Sequence, residues 1–247
     1  MKVREKKIKK KILAFIPARG GSKSIPLKNL TKLKGKPLLF YTLNQIINSK
    51  GIFDDIICST DHPKIKKYVK TFGIEVLDRP KHLSEDSSSS ESAILHCLDF
   101  LKINNRSLPD FIFLFQPTSP FVNKEHINKI INKIEQIKNF ESILTISRVS
   151  HNNHAFNQRQ IKGNFIDFVF KSEREKMYNK QSKPNFYKFG NLICINTKSF
   201  LKNKKVFADK NLWVEIPEKN SLDIESIEDI KYAEFLIDSG ILKIKKS

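Results

Sequence analysis

Five consecutive apolar residues, Ile12-Leu13-Ala14-Phe15-Ile16, stop at Pro17 and lead straight into Ala18-Arg19-Gly20-Gly21-Ser22-Lys23. An apolar run this short, with no polar alternation, predicts a strand covered on both faces, since a half-exposed strand would alternate. Phe111–Phe115 repeats the pattern, and Ile143-Leu144-Thr145-Ile146 comes close to it. Between these runs apolar residues recur at helical spacing. They are Leu38, Leu39, Leu43, Ile46 and Ile47 in the stretch from Pro37 to Asn48, and Ile65, Tyr68 and Val69 ahead of Gly73, a candidate left-handed cap. Ala93, Ile94, Cys97, Leu98 and Leu101 then follow within residues 87–101, and Ile127, Ile130, Ile131 and Ile134 after them. Ile56-Ile57-Cys58, closed by Ser59-Thr60-Asp61, and the brief Ile74-Glu75-Val76 read as further strands. Alternation of this kind predicts an α/β fold, a Rossmann-like and mainly parallel sheet with helices on both faces.

The alternation breaks at Arg148. From there to about residue 190 the chain is polar, with one strand-like patch at Phe165–Phe170. Such a stretch reads as an excursion from the sheet, either a lid or an arm packing on a second subunit. Strand character returns at Leu192–Ile195 and Leu212–Ile216, and a last helix carries Ile227, Ile230, Ala233, Phe235, Leu236 and Ile237. The expected organisation is a single domain over 12–242 with 148–190 as the excursion, flanked by basic tails at 1–11 and 243–247.

The net charge of +19 raises the question of nucleic acid. Much of it sits at the two ends, on Lys2, Arg4, Lys6, Lys7, Lys9, Lys10 and Lys11 against Glu5, and on Lys243, Lys245 and Lys246. The rest is scattered, and no basic motif interleaved with aromatics occurs, so no nucleic-acid partner is expected. The longest apolar runs fall far short of the roughly 20 residues that span a bilayer, so no membrane insertion is expected. No apolar signal core follows the basic start. Cys58, Cys97 and Cys194 lie far apart with no CxxC pair, which reads as reduced, buried thiols in a cytoplasmic protein.

In an open parallel sheet, ligands bind beyond the carboxyl ends of the strands, where the segment after Ile16 lies. Gly20 and Gly21 let the backbone approach an anion, and Arg19, Lys23 and Lys28 add cations suited to a triphosphate. The spacing is neither GxxxxGK[ST] nor GxGxxG, so neither an NTPase P-loop nor a dinucleotide fold is indicated.

Ile16-Pro17-Ala18-Arg19-Gly20-Gly21-Ser22-Lys23, then Ile25-Pro26 and Lys28-Asn29-Leu30, resembles the nucleotide-binding signature of the CMP-sialic acid synthetases (acylneuraminate cytidylyltransferases). That family includes the CMP-legionaminate and CMP-pseudaminate types. Gly35-Lys36-Pro37-Leu38, Ser59-Thr60-Asp61, Arg79-Pro80, Asp86 through Ser90, Gln116-Pro117-Thr118-Ser119-Pro120 and Asp223-Ile224-Glu225 follow in the family's order. The resemblance spans roughly 12–238 and implies the fold of the nucleotide-diphospho-sugar transferases. It implies a cytoplasmic, homodimeric enzyme that transfers CMP from CTP to a nonulosonic acid and releases pyrophosphate.

Carried over residue by residue, the resemblance makes Arg19, Lys23 and Asp223 catalytic. Ala18, Gly20, Gly21, Ser22, Lys28, Asn29, Arg79, Ser88 and Ser90 become nucleotide-binding, and Gln116 and Tyr187 sugar-binding. Asp223 and Glu225 become ligands of Mg²⁺, for which Mn²⁺ could substitute. Each has a plainer reading. Arg79-Pro80 could be a rigid turn, the serines a helix cap, and Gln116 a satisfied strand-end amide. Alternating carboxylates in an extended segment share a face and suit Mg²⁺, but Asp and Glu also favour helix N-termini.

The chain departs from the family at Glu225, where a second aspartate is usual. It departs again at Lys180-Gln181-Ser182 and at Gly190-Asn191, where Arg-Gln-Asp and Asn-Gly are usual. His151 and His154 suggest a metal pair but lack a third ligand, and are expected to be exposed loop histidines. Competing readings are a same-fold nucleotidyltransferase for another sugar or base and, from another class, an inactive relative acting as a basic nucleic-acid-binding module.

Overall fold

The computed structural model describes residues 10–22, 24–49, 51–177, 179, 181 and 183–243. Most of the two basic tails, at 1–9 and 244–247, lies outside the described residues, as do Lys23, Lys180 and Ser182.

The chain begins with β1 (Ile12–Pro17), a hairpin of β2 (Lys32–Leu33) and β3 (Lys36–Pro37), and α1 (Leu38–Ile47). β4 (Asp55–Thr60), α2 (Pro63–Lys70), β5 (Glu75–Asp78), α3 (Ser90–Ile103), β6 (Phe111–Phe115), α4 (Lys124–Gln136) and β7 (Ser142–Arg148) then alternate. A hairpin of β8 (Arg159–Lys162) and β9 (Phe165–Phe168) and the short α5 (Lys171–Lys176) precede β10 (Tyr187–Asn196), α6 (Thr197–Asn203), β11 (Asn211–Glu215) and α7 (Ile227–Asp238).

Among the described residues, seven strands form one sheet in the order β11-β7-β10-β6-β1-β4-β5. Neighbours are parallel except where β10 lies antiparallel between β6 and β7. The chain steps outward from β1 to β4 and β5, then returns to the other side of β1 as β6. The strand order reverses there, which makes the carboxyl ends of β1 and β6 the topological switch point.

Two-sided burial shows in how β1 divides its side chains. Ile12, Ala14 and Ile16 pack with Leu39, Leu43 and Ile46 of α1, Ile65 and Val69 of α2, and Ile127 and Ile130 of α4. Leu13 and Phe15 face the other way, onto Ala93, Ile94, Cys97, Leu98 and Leu101 of α3 and Phe200 of α6. Each large apolar side chain so buried contributes about 1.5–3 kcal/mol relative to exposure. A third cluster joins α7, through Ile230, Ala233 and Leu236, to Ile25, Leu33, Leu38 and Tyr41. It draws the end of the chain back over the segment that follows β1.

Several expectations are corrected in detail. The third strand starts at Glu75, one residue late, and runs on to Asp78. The helix expected within 87–101 begins at Ser90, because the Ser89 hydroxyl accepts from the Ser92 N–H and caps it. The patch at Phe165–Phe170 is half of a hairpin, since Arg159–Lys162, too polar to read as a strand, pairs with it across a turn at Gly163. β2, β3 and α6 were not foreseen; they are too short for periodicity to register. His154 is not an exposed loop histidine. It is buried, stacks on Phe186 with centroids 4.5 Å apart, and contacts the Pro184 carbonyl through Nε2 at 3.0 Å.

The three cysteines are buried and free, and burial pushes the Cys58 and Cys97 thiols up to about 12. Among the described residues, no helix is long and apolar enough to cross a membrane.

In β10 the register shifts between Phe189 and Ile193, and a Cβ on Gly190 would lie 2.9 Å from the Thr145 carbonyl carbon, its Oγ1 and Ile216 Cδ1. Because one of these atoms is strand backbone, Gly190→Ala is expected to destabilise the fold by about 1–3 kcal/mol, read as a lowered Tm. His126 caps α4 by accepting the Asn123 N–H on Nδ1, and burial lowers its pKa to about 4. The unfolded chain therefore takes up a proton near pH 6.5 that the folded chain refuses until about pH 4. Stability is then fully present above about pH 6.5, and about 3 kcal/mol of it is lost as pH falls toward 4. Denaturant titrations of wild type and His126→Gln, whose amide oxygen can keep the cap, should differ in this slope.

Candidate functional site

At the switch point lies a cleft of about 610 Å³. Its walls come from the loop after β1 (Pro17, Arg19, Gly21, Ser22, Ser24), from Lys28 and Asn29, from Arg79 after β5, and from Asp86 with Ser88–Ser90 at the start of α3. Gln116, Pro117 and Thr118 after β6, with Asp223 and Glu225 ahead of α7, close it.

The loop after β1 is held by its neighbours. The Ala18 N–H extends the β1–β4 ladder to the Ser59 carbonyl at 2.9 Å, and Ala18 is fully buried behind the cleft wall. The next loop amide in the ladder's path, on Gly20, donates to Asp61 Oδ1 at 2.8 Å. A Cβ on Gly20 would lie 2.6 Å from His62 Cβ, so only glycine fits against the start of α2. The two glycines thus differ in role. Gly20 packs and its amide is committed to Asp61, while Gly21 lines the cleft with its nearest such neighbour, the Ser84 carbonyl, at 4.0 Å.

Arg19 and Asn29 hold each other's segments together: the Asn29 side-chain amide donates to the Arg19 carbonyl at 2.8 Å. The Arg19 guanidinium donates to the Glu85 carbonyl at 2.9 Å and pairs with Asp86 at 2.9 Å. Lys28 opens a single 3-10 turn, Lys28–Leu30, after Leu27 in the left-handed region at φ 49°. Its side chain is only 8% exposed, and its ammonium lies 2.7 Å from Glu225 Oε2.

Arg79 is buried, and its guanidinium donates through Nε to Ser59 Oγ at 3.0 Å and through NH2 to the Ser59 carbonyl at 2.9 Å. Burial lowers its pKa from the ordinary guanidinium value, with Cys58 and Asp61 opposing. Arginine stays charged regardless. The capping expected of the serine run falls to Ser89, which leaves Ser88 and Ser90 beside it on the cleft wall. The Ser88 hydroxyl donates to the His82 carbonyl at 3.0 Å. The N-terminus of α3, with its outward amides and positive dipole end, therefore faces the cleft.

The carboxylates arrive from the far end of the chain. The Ile224 N–H donates to the Thr118 carbonyl at 2.9 Å, and Ser119 Oγ donates to Asp223 Oδ1 at 3.2 Å. The turn after β6 thus fastens the segment carrying Asp223. Helix capping belongs to neither Asp223 nor Glu225. Ser226 performs it, its Oγ accepting from the Asp229 N–H at 3.2 Å, while the Asp229 carboxylate accepts in return from the Glu225 and Ser226 N–H groups at 2.9 and 2.8 Å. Burial raises the Asp229 pKa, but these hydrogen bonds outweigh it and the net shift is downward.

Among the described residues, no group of three or more His, Cys, Asp or Glu is arranged for a metal ion. Asp223 and Glu225, two carboxylates on one cleft wall, fit Mg²⁺, which takes one or two carboxylates and completes its shell with phosphate and water oxygens. The same cleft is lined by Arg19, Lys28 and the start of α3, groups that can hold a polyphosphate chain beside a divalent ion.

Of the residues singled out in the sequence, the cleft gathers Arg19, Gly21, Ser22, Lys28, Asn29, Arg79, Ser88, Ser90, Gln116, Asp223 and Glu225. Ala18 and Gly20 support it from behind. Tyr187 does not line it; the residue is exposed on β10, opposite Arg148. Ser119, Asp61 and Ser59 were missed as positioning groups. The available signal was their place: Asp61 and Ser119 follow the carboxyl ends of β4 and β6, and Ser59 is the next-to-last residue of β4.

A sequence profile of the family described as cytidylyltransferase matches residues 13–240. The chain belongs to that family. It is 27% identical over 227 residues to a pseudaminic acid cytidylyltransferase of Campylobacter jejuni, covering 92% of this chain and 96% of that one. It is 30% identical over 222 residues to an N-acylneuraminate cytidylyltransferase of Streptococcus agalactiae, covering 89% of this chain. The chain spans about half (51%) the length of that relative. The fold is shared with CMP:2-keto-3-deoxy-manno-octonic acid synthetase complexed with CTP, at a TM-score of 0.68 and 12% identity, covering 93% of this chain and 99% of that one.

Asp61→Ala removes the acceptor of the Gly20 amide and is expected to cost about 1 kcal/mol of stability. Hydrogen exchange should show the Gly20 amide protected in wild type and unprotected in the variant.

Proposed function

We propose that this member of the cytidylyltransferase family transfers CMP from CTP to the anomeric hydroxyl of a nonulosonic acid of the sialic, legionaminic or pseudaminic type, releasing pyrophosphate. One observation carries the reading. The cleft at the switch point gathers Arg19 and Lys28 from one end of the chain and Asp223 and Glu225 from the other around the Gln116 turn. The likeness to the pseudaminic acid enzyme over nearly its whole length supports the acceptor class.

In this reading the acceptor oxygen bonds to the α-phosphorus as the bond to the β-phosphate oxygen breaks, and the hydroxyl proton is released. Arg19 and Lys28, with Lys23 from the same loop, neutralise the triphosphate and so lower the cost of bringing a nucleophile to it. Gly21 and Ser22 offer loop groups to the phosphates. Arg79, already held by Ser59, and the Ser88 and Ser90 hydroxyls read the cytosine edge. The Gln116 amide can donate to and accept from the sugar acid. Asp223 and Glu225 would hold Mg²⁺, which supplies charge stabilisation at the α-phosphate and the leaving group when bound.

The excursion is the proposed arm to a second copy. Its hairpin exposes Ile161, Phe165 and Ile166, which a homodimer would bury. Tyr187 stands where this excursion rejoins the sheet, so a sugar-binding role for it would depend on that assembly. Three buried free thiols support a reducing, cytoplasmic setting.

The test is pyrophosphate release with CTP and Mg²⁺ across a panel of nonulosonic acids, with ATP, GTP and UTP as controls. Turnover with CTP and one acid is expected. Asp223→Ala is expected to lower kcat at least about a hundredfold while keeping the fold. Absence of CTP binding overturns the reading.

A further inference from the structure

The Lys28–Glu225 ion pair joins two groups that the proposed reaction needs for other partners. Lys28 is nearly enclosed, whereas the Glu225 side chain is 65% exposed, and their contact at 2.7 Å lies within the cleft itself. Glu225 cannot leave by moving its backbone. Its N–H is clamped to Asp229, and Ile224 before it is fully buried and bonded to the Thr118 carbonyl. What can move is the side chain, with three rotatable bonds and most of its surface in solvent. Lys28 has the opposite character, its stem packed and its ammonium confined to the cleft side.

A phosphate reaching Lys28 must therefore compete with a carboxylate already hydrogen-bonded to it. An ammonium between two anions is held more weakly by each, and the mobile carboxylate is the one that yields. Resting on the function proposed above, we propose that Glu225 is a positioning residue that exchanges partners: it holds the Lys28 ammonium in the cleft until the nucleotide triphosphate displaces it, and the released carboxylate then stands beside Asp223 as a donor for a divalent cation. Nucleotide arrival and cation binding become coupled through one side chain, since each cation-ready Glu225 requires a Lys28 neutralised by something else. No bond is made or broken in the exchange; one ion pair replaces another.

The test uses calorimetric titration of CTP into the full chain in a chelator, with no divalent cation, so that no turnover or metal ligation contributes. Glu225→Gln keeps the size of the side chain and removes its charge. It is expected to bind metal-free CTP about twofold to fivefold more tightly than wild type, the scale of one part-exposed ion pair. Removing any acid near an anion site would give some tightening, so the decisive arm is a cycle with Lys28→Met. In that background Glu225→Gln is expected to gain less than half as much in free energy, because the competition it relieves no longer exists.

Thermal melting verifies that each variant is folded. Should Glu225→Gln prove unfolded, Glu225→Ala, at the same exposed side chain, takes its place. An unchanged or weakened affinity for metal-free CTP in Glu225→Gln overturns the exchange, as does an undiminished gain in the Lys28→Met background. If wild type binds no CTP, the function itself falls and the exchange with it, an outcome distinct from the other two.

Discussion

Covering β1 on both faces is the constraint from which the rest of the architecture follows. A strand whose successive side chains must all leave water needs a layer of helices above and below, and those helices need crossovers that carry the chain from one end of the sheet to the other. β1 meets that demand with α1, α2 and α4 on one side and α3 with α6 on the other. Parallel neighbours on both edges then leave its carboxyl end at a reversal of strand order. The Arg19–Ser22 loop reaches a cleft because the strand before it has nowhere else to go.

A cleft at that place is a generic product of the fold. The particular chemistry comes from how the chain's last segment is brought home. The apolar cluster that seats α7 against Leu33, Leu38 and Tyr41 supplies the energy, and small polar contacts set the register. Thr118 and Ser119 hold residues 223–224, and Asp229 ties the main chain at Glu225 and Ser226. Cations from the loop after β1 and acids from residue 223 onward share one space because burying apolar surface brought them together. Opposite charges then settle against each other, as Lys28 and Glu225 do.

Much of this was legible in the sequence. The buried strands, the helical stripes and the loop after β1 depend on periodicity and on covalent neighbours, and they lie where the residues imply. The Gly20-Gly21 pair shows the limit of such reading. Both glycines read alike as room for an anion, yet a Cβ at Gly20 is excluded by His62, forty-two residues away in the chain, while Gly21 has open space. Ser87 through Ser90 was legible as a helix start, but which serine caps and which face the cleft depends on where the first turn closes. The Arg159–Lys162 strand went unseen because three of its four side chains are polar and all four are exposed, so no apolar pattern marks it.

The amino-acid sequence alone determined the α/β class, the strands that must be buried, and the chemical character of the groups beyond them. These depend on the period of apolar residues and on immediate neighbours. The tertiary structure alone decided the insertion of β10 antiparallel between β6 and β7, the enclosure of His154, and the meeting of Ser119 with Asp223. It decided as well that Lys28 finds Glu225 across 197 residues of chain. Each of these is set by which surfaces bury best against one another, a property of the whole packed chain that no local pattern contains.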